Sequence, residues 1–145
     1  MLLDPTRNRF NRGTLRTANR RGVAAVEFAI VAPLFFMLLV GIIEIGRALM
    51  VQQVLINASR VGAREAVTLS STESAAIDAA TDFAEGVGIS GIDVDVSPDP
   101  ASAAAGDAIT VDVAIDFAEV SWMPAPWFMG GKTLTSSSVM RKEGF

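Results

Sequence analysis

The sequence contains no cysteine and no histidine. Without cysteine, the chain can form neither disulfides nor a thiol nucleophile, and without histidine it lacks the usual ligand of zinc and haem and the base of a Ser-His-Asp triad. The remaining acidic side chains form no paired-acid, Ser-Lys or phosphate-loop arrangement. We therefore expect a protein that is not an enzyme and that uses no metal and no cofactor.

Basic side chains are scarce everywhere except at the start of the chain. Residues 1–22 carry six arginines against Asp4 alone, a net charge of +5, whereas residues 23–145 carry 6 basic and 15 acidic side chains, a net charge of -9. Such an asymmetry is typical of a chain that lies across a boundary that sorts charge. It predicts a basic leader on the cytoplasmic side and an acidic domain on the other side.

One long apolar run follows the basic leader. Glu27 is the only charged residue between Val23 and Ile43, and these 21 residues would span about 31 Å as a helix, close to the thickness of a bilayer core of about 30 Å. We predict a single transmembrane helix with a cytoplasmic N-terminus. A secretory signal peptide or a mitochondrial transit peptide fits less well, because the run has no clean cleavage site after it and is apolar on all sides.

Helical spacing continues beyond the membrane, and the remaining pattern predicts an α+β domain. We divide the chain into a leader (1–22), a transmembrane and extended helix (23–69) and an extracytoplasmic domain (70–145). Ser70 and Glu73 read as a capping box that begins a second, short helix. Alternating patterns at 92–96 and at 109–117 predict two strands with an apolar face toward the helices and an aspartate-rich face toward water. A third strand, from about 133 to 141, is expected to complete a small antiparallel three-stranded sheet.

Several features of the pattern admit two interpretations. The small residues along the helix favour close packing either against another helix or against the protein's own domain; they are Gly41, Gly46, Ala48, Ala58, Gly62 and Ala63. The apolar segment 122–129 either folds over the sheet, which we favour, or offers an aromatic patch to a partner or a lipid surface. Four aspartates on alternate strand positions could be imagined as a calcium site, but a solvated face is the default interpretation; they are Asp93, Asp95, Asp112 and Asp116. Glu44 and Arg47 are spaced as an i,i+3 pair.

The string from Arg20 to Phe28 resembles the processing site of type IV prepilins, in particular the short Flp class. The resemblance implies that a prepilin peptidase cuts after Gly22 and leaves Val23 as the new N-terminus. It also implies that Glu27 is the acid used in subunit assembly, with Phe28 where Flp pilins tend to have tyrosine. A carboxylate one turn from a free α-amine could pair with a neighbouring subunit's amine.

The following stretch is similar to the TadE-like family, minor pilin-like (pseudopilin) proteins of the tight-adherence, Flp-type pilus apparatus. The matching residues are Glu44, Gly46, Arg47, Asn57, Arg60, Gly62 and Arg64, with Ser59 in place of the common alanine. The resemblance implies a single-pass protein of the bacterial inner membrane or the surface pilus. Its implied partners are a prepilin peptidase, other pilin-like subunits and membrane lipid, with no nucleic acid. The competing interpretation is a generic membrane-anchored scaffold or sensor unrelated to pili.

Overall fold

The computed structural model describes the backbone of residues 15–123 and 130–144, and the side chains of residues 22–123 and 130–144. The chain divides into two units, one ending at Val40 and the other beginning at Gly41. The elements follow in the order α1 (Leu15–Ala66), α2 (Glu73–Gly86), β1 (Asp93–Ser97), β2 (Ala108–Asp116), α3 (Phe117–Val120) and β3 (Thr133–Arg141). The predicted α+β class, with a long N-terminal helix, a short second helix and a three-stranded antiparallel sheet, is confirmed.

Helix α1 begins earlier than expected. We predicted a helix from Val23 to about Leu69, whereas the 52-residue helix already includes Leu15 to Arg21 and ends at Ala66. The residues from Leu15 to Arg21 contain neither proline nor glycine and include leucine, alanine and arginine, all good helix formers. Intrinsic propensity therefore extends the helix into the basic leader.

The N-cap of α2 is Thr72, not Ser70 as the capping-box pattern indicated. The Thr72 hydroxyl accepts a hydrogen bond from the backbone N–H of Ala75 at 3.2 Å, and Glu73 is already the first helical residue. Ser70, Ser71 and Thr72 are all suitable caps by residue type, so the local pattern could not choose among them. Ser71, which lies between Ser70 and Thr72, is buried.

The sheet has the order β1-β2-β3, and both strand pairs are antiparallel. Along β2 the buried and exposed positions alternate, so that valine and isoleucine point inward and Asp112 and Asp116 point to solvent. The predicted apolar and aspartate-rich faces are thus both present. The alternation was expected to continue through Phe117, but Phe117 instead begins the four-residue helix α3 and is fully buried.

The core of the second unit lies between the inner face of the sheet and the two helices. Leu55 of α1, Ala76 of α2 and Val111 of β2 are all fully buried in it. The end of the chain is tied back to the same unit, because the Glu143 N–H donates to the Val67 carbonyl at 3.0 Å. The outer part of α1 is therefore one layer of a two-layer α/β unit.

Candidate functional site

The residues predicted for processing and subunit assembly share one surface of the first unit. Gly22, Val23, Val26 and Glu27 line a shallow depression on α1, and the Phe28 ring beside them is 71% exposed. A Cβ placed on Gly22 would meet no atom within 4 Å. No hydrogen bond among the described side chains involves Glu27. The carboxylate and the predicted cleavage bond are thus accessible together on the helix.

The part of α1 around these residues is long and apolar enough to cross a membrane. Its large side chains are exposed on every side, as Leu34 and Leu38 illustrate, and only 6% of its most apolar 18-residue window is buried. Exposed aliphatic surface of this extent is unfavourable in water and favourable in lipid or against other apolar helices. This segment could therefore span a membrane.

The predicted family-motif residues lie on two different faces of α1. Glu44 and Gly62 are buried within the second unit, and Arg47 is partly buried. The others are exposed on the opposite side; they are Gly46, Asn57, Arg60 and Arg64. One sequence motif therefore contains inward residues that pack the domain and outward residues whose side chains make no hydrogen bond among the described residues.

Gly62 is where α1 comes closest to its own domain. A Cβ at this position would lie 3.1 Å from the Ala76 carbonyl oxygen, 3.1 Å from the Ala80 Cβ and 3.2 Å from a Val111 methyl group. These distances are shorter than ordinary van der Waals contact. The glycine thus allows α1 to approach α2 and β2 at the same point. Of the two interpretations of the small residues, packing within the domain is correct for Gly62 and for the buried Ala48, Ala58 and Ala63.

The expected ion pair between Glu44 and Arg47 does not form. The Arg47 Nε donates to the Val120 carbonyl at 3.0 Å, and its guanidinium carbon lies 5.2 Å from the centre of the Trp122 ring. Glu44 is only 3% exposed, and neither of its carboxylate oxygens has a hydrogen-bond partner. The arginine is held by the α3 carbonyl and the indole, a cation–π geometry, so the neighbouring carboxylate stays buried and unpaired within the described part of the chain.

Two polar contacts between α1 and β3 were not anticipated from the sequence. The Gln52 side-chain amide donates to the Thr135 carbonyl at 2.8 Å, and the Ser59 and Ser136 hydroxyls lie 3.3 Å apart. Ser59 also donates to the Ile56 carbonyl at 3.0 Å. The only signal for this contact in the sequence is that Ser59 departs from the alanine common in the resembling family. These bonds fix the helix against the outer strand of the sheet.

The aspartates of β1 and β2 are exposed, as predicted, and Asp116 accepts a hydrogen bond from the Thr133 hydroxyl at 2.8 Å. Within residues 22–123 and 130–144, no three acidic side chains converge as metal ligands would. Of the apolar segment 122–129, Trp122 is 73% exposed and lies over Arg47 rather than over the sheet. Residues 124–129 lie outside the described part of the chain, as do residues 1–14 of the predicted leader.

Comparison with known proteins gives a family match within helix α1. The family model described as TadE-like protein matches residues 22–64, which include the predicted processing glycine and the whole motif through Arg64. Neither the search of curated proteins nor the search of solved structures gave a significant match. The segment from Gly22 to Arg64 is therefore similar to the TadE-like family, the family that its motifs indicated.

Proposed function

We propose that the protein is a minor pilin-like subunit, a pseudopilin, that takes part in assembling a Tad-type pilus and has no catalytic activity of its own. The observation that carries the proposal is the TadE-like match over residues 22–64, within which the helix exposes a glutamate five residues after a glycine. A prepilin peptidase would cut between Gly22 and Val23. The charge asymmetry supports a cytoplasmic leader and an extracytoplasmic domain.

The proposed assembly contact joins the new α-amine of Val23 to Glu27 of a neighbouring subunit. In an apolar surrounding an isolated carboxylate is costly, and no hydrogen bond among the described side chains satisfies Glu27. Glu27 lies about 6 Å along the helix axis from Val23, at about 1.5 Å per residue. Pairing between neighbours would remove the unfavourable isolation of both charges and fix the axial offset between two parallel helices.

Intact-mass measurement of the protein recovered from membranes tests the maturation step. Coexpressed with an Flp-type prepilin peptidase, the chain should lose residues 1–22, and N-terminal sequencing should begin at Val23. Gly22→Val should leave the chain at full length, since the bulkier residue blocks the glycine position at the cut. Gly46→Val is the matched control, because Gly46 is also exposed on α1 but lies far from the cut, and it should be processed normally.

A chain that keeps its full length beside a competent peptidase would overturn the proposal and favour a membrane-anchored scaffold or sensor unrelated to pili. The Glu27→Ala variant further distinguishes the pilus-assembly function from the scaffold or sensor function. It should leave cleavage intact but reduce the amount of protein that coisolates with pilin-like subunits, whereas a scaffold unrelated to pili would tolerate the change.

A further inference from the structure

Two arginines on the outward face of α1 have no partner among the described residues. Arg60 and Arg64 are exposed, and neither takes part in any hydrogen bond or ion pair between described side chains. They lie one helical turn apart, a spacing at which like charges repel. Gln53 and Asn57 extend the same face with uncharged polar side chains. The basic face, defined as Gln53, Asn57, Arg60 and Arg64, therefore contains a repulsion that no described side chain relieves.

The outward face of the sheet carries the opposite charge in an equally unfavourable arrangement. Its four exposed aspartates define the acidic face; they are Asp93, Asp95, Asp112 and Asp116. The strand register places Asp95 directly opposite Asp112. Like charges at directly opposed positions of neighbouring strands destabilise a sheet.

The two faces lie on opposite sides of the unit that begins at Gly41. Leu55 of α1 is fully buried with Val111 and Val113 of β2 in the core. Arg64 follows Leu55 by nine residues, about two and a half turns, and so points away from the sheet. Asp112 lies between Val111 and Val113 and so points away from the helix. One copy therefore cannot bring its own basic and acidic faces together.

We propose that the basic face of one copy binds the acidic face of a second copy. The faces match in length, since Gln53 to Arg64 covers about 16 Å of helix and Asp112 to Asp116 about 14 Å of strand. Because the contact joins two different faces, it is heterologous and can repeat from copy to copy in an open series. The inference deepens the proposed function by adding an extracytoplasmic contact between pilin-like subunits to the Val23–Glu27 contact.

Disulfide cross-linking tests the contact cleanly, because the chain has no cysteine. Asn57→Cys and Ser137→Cys place one thiol on each face and leave every charge in place; Ser137 is exposed and pairs in register with Asp112. Full-length protein carrying both changes, oxidised in membranes, should form a ladder of dimers and larger species. Either single variant should form at most a trace of dimer. The control pair Asn57→Cys with Ser102→Cys, an exposed loop position, should give no ladder.

Charge reversal in the double-cysteine background shows whether electrostatics hold the contact. Arg60→Glu with Arg64→Glu should lower the cross-linked yield about tenfold, and so should Asp95→Lys with Asp112→Lys. All four reversals in one chain should restore the ladder, because each face then meets its new complement. About 1 M salt, where the Debye length falls to about 3 Å, should weaken it as well.

The proposal is overturned if no ladder forms, if the single variants cross-link as well as the pair, or if the ladder ignores charge reversal. Cleavage after Gly22 is measured by intact mass in the same samples. A processed chain without a ladder would refute this contact and leave the proposed function standing, whereas an unprocessed chain would refute the proposed function whether or not the ladder forms.

Discussion

The two halves of α1 have similar helical geometry but opposite relations to the rest of the chain. From Gly22 to Val40 nearly every side chain is exposed and apolar, while from Glu44 to Ala66 one face is buried against the sheet and α2, and the outward face carries polar side chains from Gln53 to Arg64. The outer half is stabilised by its own domain. The described residues give the apolar half no such support, so we expect lipid or other subunits to supply it. One helix thus combines an outer half that packs against its own domain with an apolar half that needs lipid or other subunits to cover it.

Shortening one leucine in each half should separate these two sources of stability most strongly. Leu55 is fully buried, and Leu55→Ala should lower the free energy of unfolding of the domain by about 2–5 kcal/mol through lost burial and the cavity left behind. Leu38 is 61% exposed, and Leu38→Ala should change it by less than about 0.5 kcal/mol. Urea unfolding in detergent, followed by tryptophan fluorescence, is a suitable measurement because both tryptophans lie after α2 in the sequence. Equal effects would mean that the two halves do not differ as described.

The two motif glycines sharpen the comparison within the outer half. Gly62→Val should destabilise the domain by about 1–3 kcal/mol, because the new side chain meets a backbone carbonyl and the tightly packed α2 and β2. Gly46→Ala should instead stabilise by up to about 1 kcal/mol, since a helical glycine becomes alanine in open space. The same urea titration measures the free energy of unfolding of both variants. If Gly62→Val leaves the free energy of unfolding unchanged, α1 does not pack against its domain as closely as described at Gly62.

Much of this architecture could be predicted because it depends on local patterns. The apolar run and the alternating strands β1 and β2 each reflect a periodicity visible over a few residues, and the third strand at Thr133–Arg141 was expected because it completes the sheet. The misses arise where helix propensity or burial competes with these patterns. The start of α1, the choice of Thr72 as cap and the turn into α3 at Phe117 are each decided by propensity or burial that competes with a plausible local motif.

The motif residues illustrate the same limit at the candidate site. Sequence similarity identified them, but only the fold separates Glu44 and Gly62 from the outward-facing Arg60 and Arg64. A helical wheel could have placed Glu44 inside, since it precedes Leu55 by eleven residues, about three turns. The stacking of Arg47 on Trp122 is a contact across 75 positions of sequence and has no local signal.

The two glutamates of the helix provide the smallest and most discriminating test. Glu44 is buried with neither oxygen hydrogen-bonded, so Glu44→Met, which keeps the side-chain length and removes the buried charge, should raise the free energy of unfolding by about 1 kcal/mol. Glu27 is exposed in the apolar half, and Glu27→Met should leave the domain unchanged while weakening coisolation with other subunits. If Glu44→Met lowers stability instead, the carboxylate has a partner that the described residues do not provide. The distinction between a self-sufficient outer half and a dependent apolar half would then fail at Glu44, where the outer half begins.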